Sequence, residues 1–169
     1  VTITDYFFPD EFIENNNYFE YSANKTSHIL EGSLMFNGTD QLPLSLLVAA
    51  NFFGADAKKI NSDANNPNFN TEDGLQYSTY LELSYNTKIN ETEAIFFAGF
   101  TPNKPAKQNN QTNYIGETGF YGKTMGFVNI GTTMTKKVQI TEKYDLPVNV
   151  SIITNPMNEN IFFVFGFSL

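Results

Sequence analysis

The chain has 169 residues, 41% of them hydrophobic, a formal charge of −8, and no Arg, Cys or Trp. Its length fits one domain, the missing thiols exclude a disulfide framework and a thiolate metal site, and ten scattered Lys form no basic cluster, so nucleic acid is not expected as a partner. It contains no apolar run of about 18 residues, which rules out a membrane-spanning helix but not crossing by strands.

Period-two alternation predicts eight strands, at 1–7, 28–37, 44–55, 75–87, 93–101, 125–140, 146–154 and 161–169, and no segment sustains a helical period. The chain begins at Val1 without Met and without a charged-then-apolar leader; any signal peptide is therefore expected to have been removed, or the chain to be truncated. In the strand from 75, Leu75, Tyr77, Thr79, Leu81, Leu83 and Tyr85 alternate with Gln76, Ser78, Tyr80, Glu82, Ser84 and Asn86. The strand from 125 sets Val128, Ile130, Met134, Val138 and Ile140 against Asn129, Gly131, Thr133, Thr135, Lys137 and Gln139. Lys136 interrupts that apolar face; either its long stem reaches a membrane interface, or this end of a strand longer than the roughly 10 residues needed to span stands clear of lipid. Next, Leu146, Val148, Val150 and Ile152 oppose Asn149 and Ser151. In the last strand, Ile161, Phe163, Phe165, Phe167 and Leu169 share one face. Such a strand suits the closing position of a transmembrane barrel, whose outer band must be apolar.

The connections carry a second signal. Segments 8–27, 56–74 and 102–124 are long, whereas 38–43, 88–92 and 141–145 are short, and only 155–160 departs from the rhythm. Bacterial barrels pair short periplasmic turns with long external loops, and an even strand number puts both termini on the periplasmic side. The expected fold is therefore all-β: an antiparallel up-and-down transmembrane β-barrel of eight strands, either complete or the C-terminal part of a larger barrel, spanning 1–169 as a single domain. Polar faces rich in Asn, Ser, Thr and Gln but poor in Lys and Glu favour a lumen over a water-facing sheet. Aromatics near strand ends, such as Tyr6, Phe7, Phe52, Phe53, Phe100 and Tyr144, fit interfacial girdles. The alternative is a soluble lipocalin-like barrel with the faces reversed, turning Phe96, Phe100, Phe163 and Phe165 inward to bind a small hydrophobic ligand.

Five stretches, Thr4 to Pro9, Tyr18 to Tyr21, His28 to Glu31, Tyr77 to Leu83 and the closing Phe-Val-Phe-Gly-Phe-Ser-Leu, resemble a family of small, uncharacterised outer-membrane β-barrels labelled TorF-like porins. The resemblance spans most of the chain. It implies a Gram-negative outer-membrane location, the lipid bilayer and the barrel-insertion machinery as partners, and a porin-like passive channel or membrane scaffold. Members of such families carry further strands upstream. The usual assembly signal ends in an aromatic residue with Gly about five positions earlier, whereas this chain ends in Leu169 with Gly166 nearer.

The inward, lumen-facing candidates are Glu31, Tyr80, Glu82, Glu93, Thr133, Thr135, Lys137, Asn149 and Ser151. In an eight-stranded barrel they would form a packed polar network, with Lys137 offsetting a nearby Glu; in a wider one they would line a cation-preferring path. No enzyme, cofactor or metal site is expected. His28, the only histidine, invites a lipid-hydrolase reading with Ser27, Ser33 or Glu31, but adjacent Ser27 points to the opposite face, and an interfacial imidazole is the simpler expectation. The oxygen-rich loop from Asn61 to Asp73 lacks the EF-hand's Gly and Glu spacing and reads as a solvated Asn-rich loop, with a weak external calcium site as the alternative. Gly122-Lys123-Thr124 lacks the first Gly of a nucleotide loop because position 117 is Glu117. The Asn-x-Ser/Thr sequons at Asn24, Asn37, Asn90, Asn110 and Asn149 follow from the Asn content. Tyr- and Asn-rich loops around 18–21 and 114–121 are candidate docking surfaces for another outer-membrane protein or a surface polymer.

Overall fold

The structure, a computed structural model, describes residues 1–9, 17–22, 26–59, 72–105 and 119–168. Their elements are β1 (Thr2–Phe7), β2 (His28–Phe36), β3 (Leu44–Gly54), β4 (Ala57–Lys59), β5 (Glu72–Leu75), β6 (Thr79–Ile89), β7 (Thr92–Thr101), β8 (Gly126–Thr141), β9 (Tyr144–Asn155) and β10 (Asn160–Phe167). Eight of them form one sheet in the order β1-β2-β3-β6-β7-β8-β9-β10, and β4 pairs with β5 in a small second sheet. The large sheet is antiparallel and up-and-down, as expected, but it is open: β1 and β10 are its edges.

Strand boundaries follow the alternation closely, with one correction. The strand expected from Leu75 starts at Thr79 instead. Tyr77 takes a left-handed φ of 51°, a conformation that breaks an extended strand, and Leu75 belongs to the β4–β5 hairpin. The short turns depend on residues that tolerate positive φ. Asn90 (φ 55°) follows β6, Glu159 (φ 56°) precedes β10, and Gly38 (φ 76°) opens the β2–β3 turn. A Cβ on Gly38 would lie 2.7 Å from the carbonyl oxygens of Leu42 and Leu44, so this turn requires glycine.

By contact density the chain divides into two units, Val1–Leu34, Val48–Tyr80 and Thr101–Met125 in one, and Met35–Leu47, Leu81–Phe100 and Gly126–Leu169 in the other. The first contains the long connections and the second the short turns. In the second, register fixes the faces. Ile161, Phe163 and Phe165 of β10 pair with Thr154, Ile152 and Val150, while Phe162, Val164 and Gly166 pair with Ile153, Ser151 and Asn149. Asn149 and Ser151 pair in turn with Thr135 and Thr133 of β8. Leu81, Leu83 and Tyr85 of β6 lie beside Phe100, Ala98 and Phe96 of β7. Gly131 of β8 makes room for the Phe97 ring, which a Cβ there would approach to 2.7 Å.

Burial inverts the usual order of a water-soluble protein. Among the described residues the buried apolar side chains are Ile29, Ala49, Ala94 and Val128, whereas Thr26, Ser27, His28, Glu31, Ser45, Asn51, Asp56, Ser78, Thr101 and Ser151 are buried although polar. Large apolar residues lie outside: Phe163 is 78% exposed, Phe165 70% and Ile161 67%.

Candidate functional site

The unit with the long connections holds three buried polar centres. The first surrounds Glu31 on β2. Tyr121 donates a short hydrogen bond to its Oε2, and Tyr6 Oη lies 3.5 Å from the same oxygen. The strand pairing Thr4↔Glu31 puts Tyr6 and Glu31 on one face, since both are even steps from that pair. Aromatic rings enclose the group: Tyr80 lies 5.4 Å from Tyr121, and Phe120 lies 4.9 Å from Tyr121 and 5.4 Å from Tyr6. Burial and, after it, the Glu31 carboxylate hold the Tyr121 phenol well above the usual tyrosine range, because a phenolate there would be both desolvated and repelled.

Asp56 forms the second centre. Its carboxylate accepts the Ser78 N–H at 2.8 Å and the Ser78 hydroxyl at 2.7 Å, and the Ser78 hydroxyl oxygen lies 3.4 Å from the Phe120 N–H. Two hydrogen bonds to one buried carboxylate fix the chain just before β6. Asn103 extends the arrangement, its Oδ1 accepting the Thr79 N–H at 2.6 Å. Nearby in the fold, the amide atoms of Asn51 and the hydroxyl of Ser27 are buried and meet no protein hydrogen-bond partner.

His28 is the third centre and lies on the opposite face. Phe7 pairs with His28 and Asp5 with Leu30, so the Asp5 and His28 side chains share the apolar face of β1 and β2. His28 Nδ1 is 2.8 Å from Asp5 Oδ1, and Nε2 is 2.6 Å from the Tyr18 carbonyl. Asp5 Oδ2 accepts the Tyr21 hydroxyl at 2.8 Å; that hydrogen bond raises the Tyr21 phenol above its ordinary range. The Tyr21 ring stacks on the imidazole at 4.2 Å, with Phe7 and Tyr18 at 4.7 and 5.2 Å, and His28 is 0% exposed. Gly54 makes this packing feasible, because a Cβ there would stand 1.8 Å from the His28 carbonyl oxygen, which accepts the Ala55 N–H at 2.8 Å.

Both imidazole nitrogens thus face acceptors, and the Ser27 hydroxyl meets no partner among the described residues, so no hydrogen bond joins Ser27 to His28 as a nucleophile to its base. Glu31 lies on the other face from His28. The expected partners were Ser27, Ser33 and Glu31; the actual partner, Asp5, is 23 residues away in sequence. A legible clue was present, since Asp5 is a carboxylate alternating with Ile3 and Phe7 on an otherwise apolar face.

The inward candidates separate between the units. Glu31 and Tyr80 belong to the centre just described. In the other unit, Glu82 Oε2 accepts the Asn129 amide at 3.3 Å, and the Thr133 and Ser151 hydroxyls lie 2.8 Å apart. Asn149 faces Gly166, where a Cβ would come within 2.8 Å of its Oδ1. Thr135 pairs with Asn149, and Lys137 with Pro147. Glu93 sits opposite Lys88, and both Glu93 and Lys137 are exposed. Among the described residues the ion pairs are His28–Asp5 and Lys136–Glu91, the latter at 3.9 Å between exposed groups. Lys136 reaches Glu91 in the β6–β7 turn. The described residues contain no group of three or more His, Cys, Asp or Glu able to hold a metal. Residues 60–71 of the oxygen-rich loop and 114–118 of the Tyr-rich loop lie outside the described residues, as do Asn24 and Asn110.

No family model, no curated protein and no solved structure matches this chain.

Proposed function

We propose that this chain is a bacterial outer-membrane β-barrel protein of the TorF-like porin type, with its apolar face in lipid, its polar face lining the interior, and a role as a passive channel or membrane scaffold with long external loops. The carrying observation is the inverted burial. Asn51, Ser78 and Thr101 are each 1% exposed, whereas the Phe163 and Phe165 rings are largely uncovered. In water those rings would be left without a favourable environment, while in a bilayer they form the band an outer-membrane barrel requires.

A lipocalin-like binder would need Phe96, Phe100, Phe163 and Phe165 turned into an enclosed cavity, and the exposure of Phe163 and Phe165 argues for the membrane reading over it. The open edges of the sheet are compatible with further strands completing the barrel. The test is membrane fractionation with gel mobility of the detergent-extracted, full-length protein, boiled and unboiled. Recovery with membranes and a shift on boiling supports the proposal. A detergent-independent protein in the soluble fraction would sink it.

A further inference from the structure

We propose that His28 and Asp5 form a protonation-dependent latch, holding the strap of residues 17–22 against the apolar face of β1 and β2 and releasing it when one proton is lost. The latch rests on hydrogen-bond geometry and is independent of the membrane reading. Nε2 faces the Tyr18 carbonyl at 2.6 Å and Nδ1 faces the Asp5 carboxylate at 2.8 Å. Both partners are acceptors, so each ring nitrogen must carry a hydrogen, which a neutral imidazole cannot provide opposite an ionised carboxylate. Removing one proton sets a lone pair against a carboxylate oxygen in a site without exposed surface at His28.

The strap is held at its other end by the same carboxylate, through the Tyr21 hydroxyl at 2.8 Å. Asp5 thus joins the strap to the imidazole, and the Tyr21 ring covers the imidazole at 4.2 Å. Among the described residues, the titratable groups facing His28 are Asp5 from β1 and Tyr18 and Tyr21 from the strap. Glu20, also on the strap, accepts the Ser22 N–H at 2.7 Å, and Asp56, beyond β3, is held by Ser78. Release would free a segment already displaying Phe19 at 82% exposure, turning an aromatic strap into a mobile contact surface.

The experiment is amide hydrogen exchange of residues 17–22 in the full-length, detergent-solubilised protein at about pH 5 and about pH 9. Rates are normalised to an unstructured peptide of the same sequence, with β10 amides as the internal control. Protection of the strap is expected to fall about tenfold or more at the higher pH, the size of one lost charge-assisted hydrogen bond. Asp5→Asn should keep the strap protected at both values, because its carboxamide donates to a neutral ring or accepts from a charged one. His28→Gln should leave it unprotected at both. Equal wild-type protection at the two pH values overturns the latch, as does a pH response that survives in Asp5→Asn, the variant that remains informative if His28→Gln fails to fold.

Discussion

In the unit holding the long connections, buried carboxylates are satisfied by tyrosine hydroxyls, a serine and aromatic rings delivered from segments far apart in sequence. In the unit holding the short turns, the polar face is instead filled by hydroxyls, amides and glycines that meet because strand register sets them opposite one another. Tyr121 reaches Glu31 across 90 residues, whereas Thr133 and Ser151 face each other 18 residues apart across a two-residue turn. The difference is between long-range side-chain closure and backbone ladder, and the two should respond differently to substitution. Removing a distant partner leaves a buried group unsatisfied, while trimming a ladder pair leaves the backbone bonds intact.

Gly54→Ala attacks the first unit where its packing is tightest. The new Cβ would collide with the His28 carbonyl, at a residue whose φ is 94°, so a loss of more than about 3 kcal/mol is expected. Denaturant unfolding in detergent measures it, and a near-neutral result would mean that the β2–β3 junction relaxes easily. In lipid, Phe163→Lys should cost about 2–3 kcal/mol while Thr135→Lys, on the opposite face, costs far less. Equal costs would erase the distinction between faces.

Sharper still within the first unit is Tyr121→Phe, which strips Glu31 of its main donor and should cost about 1–2 kcal/mol. The wild-type phenol also predicts a pH effect. Because its value is raised in the folded state, its contribution is fully present below the unfolded tyrosine value of about 10 and is lost as pH rises through the higher folded value. A phenolate absorbance titration should show Tyr121 among the late-ionising tyrosines, Tyr6 and Tyr21 being raised as well, and Tyr121→Phe should remove one phenol from that late fraction. Smallest is Thr133→Val in the second unit: losing the hydroxyl pair with Ser151 should cost about 1 kcal/mol or less, and a larger value would place the turn-end unit in the same class as the loop-end one.

Alternation makes the large sheet legible because most strands keep one mainly apolar face, broken at single positions such as Asp5 and Lys136. The β4–β5 hairpin escaped, since Ala57–Lys59 and Glu72–Leu75 carry charge and no apolar periodicity. The break at Tyr77 escaped as well, because a backbone turn can interrupt a pattern of side chains without altering it. Site chemistry was legible only in part. Glu31 and Tyr80 are legible as members of the polar faces of their strands, but their partner Tyr121 comes from a connection with no period to read. His28 was noticed for being unique, yet its surroundings depend on Asp5 and on a strap that folds back onto the apolar face. Sequence separation, rather than residue type, set the limit.

The proposed membrane role requires the apolar face of the sheet to meet lipid. Because the chain has no cysteine, single-cysteine variants at positions 163 and 165 on one face, and 135 and 149 on the other, can each carry a spin label in reconstituted vesicles. Collision with oxygen should dominate at 163 and 165, and collision with a water-soluble nickel chelate at 135 and 149. Reversed or indistinguishable accessibilities would contradict the membrane-facing assignment of the apolar face.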